Sequence, residues 1–297
     1  MKKLLPVLAM TLTAALASGV QAQTLDKIKK DGAITIGHRD ASIPFSYFDD
    51  KQQPVGYSMD ICMKIADAVK AELKLPNLKV NLNPVTSATR IPLMANGTID
   101  LECGSTTNNI ERQKQVAFAP TTFITANRLA AKKASNITKL DDLKGKAIVS
   151  TSGTTNIKQI TELNGSKNLG MNIMAGKDHA ESFLMMETGR AVAFAMDDIL
   201  LFSLIANSKT PADFMVASES LSVEPYGIMM RKDDPAFKKV VDTAVANLMK
   251  SGELEKIYAK WFTSPIPPKG INLNLPISPA LKKIFASPTD SGDPAKY

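Results

Sequence analysis

Histidine and cysteine are nearly absent: the 297-residue chain holds two of each. With so few, and no CxxC spacing, no metal cluster of the usual spacing can be assembled, so no metal is expected; no cofactor is expected either. Cys62 and Cys103 lie far apart in the sequence. In an oxidising compartment they either pair or remain two buried thiols, and both readings stay open. Long apolar runs are also lacking. Beyond the N-terminus, none approaches the roughly 20 residues that span a bilayer. Basic blocks are missing too. A net charge of +7 is dispersed over 36 Lys and Arg and 29 Asp and Glu, with no basic stripe interleaved with aromatics. No nucleic-acid partner is therefore expected.

What is present begins with residues 1–22. Lys2 and Lys3 precede an apolar run over 4–18, too short to span, and Val20-Gln21-Ala22 has the small-x-small form of a cleavage site. This segment reads as a secretory signal peptide, leaving a mature chain that starts at Gln23. No cysteine lies beside the cleavage site, so lipid anchoring is not expected. With 44% apolar residues in the whole chain, the part beyond residue 22 can bury a large core in one large domain or two ordinary ones.

Short β-like runs alternate with longer helical patterns, the signature of an α/β fold with parallel sheets. Strands are expected at 33–37, 78–85 and 99–103. A helix is expected at 57–73, where Ile61, Ile65, Ala68 and Val69 share a face, and another at 90–96, ended by Gly97. One or two helical turns follow at 108–115. Near residue 123 the pattern restarts, with strands at 128–132, 147–150, 172–174 and 191–196 and helices from 154 and at 178–187. An apolar run at 227–230 and a helical pair at 234–250 and 252–262 come next. The Pro-rich tail, 264–297, is expected to run over the surface as extended chain, with residues 288–297 disordered. The restart implies an inserted second lobe: 23–124 and 225–263 form one lobe, 125–224 the other. Two crossings, near 123–127 and 222–227, make a hinge, and a ligand would sit between the lobes at the carboxyl ends of the strands.

Several segments resemble the amino-acid-binding family of type II periplasmic solute-binding proteins. They are Gly56-Tyr57-Ser58-Met59-Asp60-Ile61, Gly97-Thr98-Ile99-Asp100, Ser105-Thr106-Thr107-Asn108-Asn109-Ile110-Glu111-Arg112, Asp142-Leu143-Lys144-Gly145-Lys146, Thr151-Ser152-Gly153-Thr154-Thr155 and Gly227-Ile228-Met229-Met230-Arg231. Short pieces are weak singly; the ordered set is strong. Ser58 departs from the family, whose helix usually starts with an acidic residue. Gly37-His38-Arg39, Pro44-Phe45-Ser46-Tyr47, Glu102-Cys103-Gly104-Ser105, Lys177-Asp178-His179 and Met196-Asp197-Asp198 resemble its glutamate/aspartate-binding members. The resemblance implies two lobes, each a mostly parallel sheet flanked by helices, joined by a two-strand hinge.

It also implies a site. A free acidic amino acid carries two carboxylates and one ammonium, none of which can be buried unpaired. By resemblance, Arg112 clamps the α-carboxylate, a task suited to a guanidinium fork. Ser105 and Thr107 contact the same polar end, and Thr154 adds amides from a helix start. Asp197 receives the ammonium, with Asp198 its competitor. Arg39, Arg90 and His179 surround the side-chain carboxylate as cations, with Ser87 and Thr151 as partners. Plainer roles stand beside these: a surface ion pair of Arg112 with Glu111, a solvated strand-end charge for Arg39, a capping or packing His179, a helix cap for either aspartate. His38 reads as structural, and Phe45, Tyr47 and Phe48 as either ligand cover or core.

The implied function is capture of L-glutamate and L-aspartate in the periplasm for the permease subunits of an ABC transporter, by a monomer that is not an enzyme. One alternative is a dehydratase on the same fold, resembling cyclohexadienyl dehydratase. Another is a binder of neutral amides such as glutamine, against which the extra positive charge argues.

Overall fold

The computed structural model describes residues 24–297; the expected signal peptide lies outside the described residues. Two five-stranded sheets organise the chain. One runs Lys79–Pro84, Ala33–His38, Leu101–Cys103, Met229–Arg231, Val116–Phe118. The other runs Asn172–Gly176, Ala147–Thr151, Ala193–Asp197, Asn127–Lys132, Phe214–Val216. Each opens with three parallel strands. Each then takes one antiparallel strand, Met229–Arg231 in the first and Asn127–Lys132 in the second.

Those two antiparallel strands arrive directly from the crossings. Phe123–Thr125 pairs with Glu224–Tyr226 in a two-stranded ribbon between the lobes. This is the hinge the restarted pattern implies, and it explains why both sheets are mixed: each lobe receives its returning chain as an inserted strand of reversed direction. An aromatic cluster seats the ribbon. Phe45 meets Phe123 at 5.0 Å and Tyr226 at 5.1 Å, and Phe123 stacks on Phe262 at 4.9 Å. Phe45 is thus core rather than ligand cover.

The helices follow their apolar spacing. Tyr57–Glu72 buries Ile61, Ile65 and Val69 against Pro235–Lys250 and Glu253–Phe262. Pro235 opens the second of these after Asp234, whose carboxylate caps it by accepting from Phe237 N at 3.1 Å. Cys62 on the first helix is disulfide-bonded to Cys103 at the end of the central strand, with Cα atoms 6.2 Å apart.

The tail departs from expectation. Within it Pro279–Ala286 is a helix capped by Ser278, burying Leu281, Ile284 and Phe285 at helical spacing. Residues 288–297 are also anchored. Thr121 N donates to Thr289 O at 2.8 Å, Lys238 pairs with Asp290 at 2.8 Å, and the Tyr297 hydroxyl meets that of Thr121 at 2.7 Å. Proline content masked about two amphipathic turns. The helix Asp198–Asn207 also falls outside the sequence pattern, because its run DILLFSLIAN is apolar on most faces and carries no amphipathic period.

Candidate ligand-binding site between the lobes

The proposed contacts converge where the strand ends of both lobes face each other. All ten are buried, none more than 8% exposed. Arg112 lies in the short helix Ile110–Gln113, capped by Asn109. Its Nη1 donates to Thr107 O at 2.8 Å in one lobe, and its Nη2 reaches Gly153 O of the other at 3.4 Å. Glu111 pairs instead with Lys114 at 2.6 Å, so the surface ion pair is not what Arg112 does. Gly153, at φ +75°, belongs to the same crossing; a Cβ there would stand 2.5 Å from Ala88 Cα across the cleft.

Arg39 and Arg90 form a second cationic group. Arg39 Nη2 donates to Ser87 Oγ at 2.7 Å and lies 3.5 Å from His179 Nε2. Arginine has no acceptor, so Nε2 must carry a lone pair. The proton then sits on Nδ1, which donates to Thr151 Oγ1 at 2.9 Å. The Thr151 hydroxyl in turn donates to Ser182 Oγ at 2.9 Å, and Ser182 donates to Asp178 O at 2.8 Å. Burial, then Arg39 and Arg90, pull the His179 pKa well down. His179 is therefore a neutral, oriented hydrogen-bonding group here, not the third cation expected from the sequence. Arg90 Nη1 donates to Thr106 Oγ1 at 2.6 Å and to Ser105 O at 3.3 Å. Arg39 Nη1 and Arg90 Nε are buried with no partner.

Asp197 ends the strand Ala193–Asp197. Its Oδ1 accepts from Asn156 Nδ2 at 2.8 Å and its Oδ2 from the Tyr226 hydroxyl. Its side chain makes no cap bond to the helix that follows. Asp198 faces the hinge instead, accepting from Thr125 Oγ1 at 2.6 Å and pairing with Arg128 at 3.3 Å. Thr154 caps the helix Thr155–Ser166: its hydroxyl donates to Thr151 O and accepts from Ile157 N, so that oxygen is already engaged. The Ser105 hydroxyl donates to Ser42 at 3.2 Å.

The electrostatics show a site of separated, unsatisfied charge. Burial, and then Arg90, lower Arg39 to about 10 and Arg112 to about 9; burial lowers Arg90 as well. Burial, and then Glu224, push Asp197 up to about 7, against the hydrogen bonds from Tyr226 and Asn156. Each ion is held uphill, and each would be relieved by an opposite charge between the lobes. Tyr226, Asn156, Thr106, Ser182 and Glu102 were not singled out from the sequence. Tyr226 lay in the Glu224-Pro225-Tyr226-Gly227 crossing, a signal for a hinge but not for a hydroxyl aimed at Asp197.

Two hinged lobes enclosing fixed charges at their strand ends define a binding protein that closes over a small polar solute. Residues 34–264 match the model of bacterial extracellular solute-binding proteins, family 3, and the chain belongs to that family. It is 56% identical over 285 residues to an L-glutamate/L-aspartate-binding protein of Pseudomonas aeruginosa, covering 96% of this chain and 94% of that one. It is 50% identical over 289 residues to a glutamate/aspartate import solute-binding protein of Salmonella typhimurium, covering 96% of each. Among solved structures, a mutant of ArgBP from T. maritima superposes with a TM-score of 0.72 at 26% identity, over 80% of this chain and 98% of that one. These relatives are named for binding, not for catalysis, which leaves the dehydratase alternative without support.

Proposed function

We propose that the protein captures L-glutamate and L-aspartate between its lobes in the periplasm and delivers them, as a monomer, to the permease of an ABC transporter. The observation that carries this is the division of buried charge: Arg112 at one end, the Arg39–Arg90 pair at another, and Asp197 as the anion between the hinge and the second sheet. That set matches two carboxylates and one ammonium. The names of the two relatives support the same ligands. Cleavage after Ala22 and lobe boundaries near 124, 224 and 263 belong to the proposal; the ribbon at Phe123–Thr125 and Glu224–Tyr226 supports the first two boundaries.

Charge-assisted hydrogen bonds contribute roughly 1.5–3 kcal/mol each, and micromolar affinity needs about 8 kcal/mol. Two clamped carboxylates and one ammonium reach that range after ordering costs. Isothermal titration of the ligand-stripped mature chain tests the reading. L-Glutamate and L-aspartate should bind at micromolar affinity or better, with glutamine and asparagine weaker by about tenfold or more. Amides that bind as well as the acids would dismiss the distal arginine pair as a carboxylate subsite.

Asp197 adds a pH signature. The folded, unliganded protein keeps a proton on it up to about 7, whereas the unfolded chain loses it near 3.8. The native state thus holds more protons between these values, and this group's contribution to unliganded stability falls as pH rises through that window. An arriving ammonium requires the ionised form. Affinity should therefore drop as pH falls below about 7, by up to about tenfold per unit. Asp197→Asn should bind weakly and show no such slope. Titrations from pH 8 to 5 decide it; a wild-type affinity flat over that range would separate Asp197 from the ammonium.

A further inference from the structure

Glu102 is the most enclosed ionisable group beside the site, at 0% exposure. It lies on the central strand Leu101–Cys103, opposite Gly37 on one side and Met229 on the other. Its Oε2 accepts from Thr106 Oγ1 at 2.5 Å, and Thr106 in turn accepts from Arg90 Nη1. Its Oε1 has no partner. The space around that atom is narrow: a Cβ on Gly104 would run into Oε1 and, at 2.7 Å, into Arg39 Cγ. Glu102 therefore stands under the aliphatic stem of Arg39 and one hydroxyl away from Arg90. It favours the charged form of Arg39, Arg90 and Arg112 alike.

Burying a carboxylate beside a carboxylate-binding subsite works against raw anion affinity, so its presence asks for a reason. At this end of the site Arg39 and Arg90 bring two positive charges, His179 is neutral, and Glu102 removes one. We infer that Glu102 is a specificity-determining residue that sets the distal end of the pocket to a single positive charge, matching a monoanionic side chain and disfavouring a dianionic head group, while lessening the penalty that two uncompensated arginines would place on a neutral amide. This rests on the reading of the site as a binder of acidic amino acids. The physics is that of any buried pair: a charge left over after binding is desolvated without compensation, whichever its sign.

The test compares three ligands on the mature chain at pH 8: L-aspartate, L-asparagine and L-2-amino-3-phosphonopropionate, whose phosphonate is then dianionic. Glu102→Gln keeps the shape and removes the charge. It should raise the phosphonate-to-aspartate affinity ratio by about tenfold or more, and widen the preference for aspartate over asparagine. Thr106→Val keeps the charge and cuts the link to Arg90. It should weaken all three ligands together and leave the ratios in place. A Glu102→Gln ratio within about threefold of wild type, or a Thr106→Val shift as large as that of Glu102→Gln, would overturn the inference and leave Glu102 as a support for Arg90. Should Glu102→Gln not fold, wild type suffices. Its phosphonate affinity, normalised to aspartate at each pH, must fall as the phosphonate takes its second charge; a ratio that holds or rises overturns it. Wild-type protein that fails to bind aspartate at all rejects the function reading itself, which is a separate result.

Discussion

Replacing Arg112 with methionine should raise the Kd for L-glutamate by about two to three orders of magnitude while leaving the unliganded protein as stable as before, or more so. The two halves of this result have one origin. In the unliganded site the guanidinium is buried, repelled by Arg90, and held at about 9. Its hydrogen bonds go to two backbone carbonyls, Thr107 O and Gly153 O, and to no carboxylate. Removing it relieves a buried cation. In the proposed complex the same group faces the α-carboxylate, and deleting one partner of a buried charge pair costs about 3–5 kcal/mol. Arg112→Lys should fall between: the charge remains, but the fork that spans Thr107 and Gly153 is lost, and with it the planar match to a carboxylate. Titration calorimetry and thermal melts on the same samples check both halves. Equal losses of affinity and melting temperature would mean that Arg112 is a structural bridge between lobes rather than a clamp.

The architecture was largely open to inspection in the sequence, because its elements carry strong local signals. Strand runs such as AITIG and AVAFAM, the apolar face of 57–73, Gly97 and Asp234-Pro235 each mark an element within a few residues of where it lies. What local pattern could not convey were relations between elements. The Cys62–Cys103 bond depends on one helix packing over the end of one strand. The protonation of His179 depends first on its burial and then on two arginines brought from elsewhere in the fold. Asp197 and Asp198 are adjacent and chemically identical, and the change from strand at the first to helix at the second sends one to Asn156 and Tyr226 and the other to Arg128. Glu102 was overlooked for a further reason: an acidic residue inside a strand gives no sign from sequence that it is fully enclosed. The tail misled by composition, since proline content says nothing about Leu281, Ile284 and Phe285 burying one face.

The disulfide should carry a comparable share of free energy, by a different route. It closes a loop across a sequence separation of 41 residues, and restricting an unfolded chain by a loop of that length corresponds to about 4 kcal/mol in the chain-entropy account. Substituting Cys62→Ala and Cys103→Ala together should lower Tm by about 10 °C, from roughly 2–4 °C per kcal/mol for a chain of this size class. It should also steepen the denaturant dependence, because the unfolded state loses its cross-link and expands. Glutamate affinity should hardly move. The helix Tyr57–Glu72 and the strand Leu101–Cys103 still bury Ile61, Ile65, Val69 and Leu101 against their neighbours, and Ser58 Oγ still donates to Gly104 O at 2.8 Å beside the vanished bond. Both sulfurs belong to residues with no solvent exposure, so a reductant added to the folded protein should act slowly and speed up only as the chain unfolds. If the double variant instead kept its melting temperature but lost glutamate affinity, the bond would be acting on the native state, by holding the strand end that carries Glu102, Gly104 and Ser105 in register with the arginines.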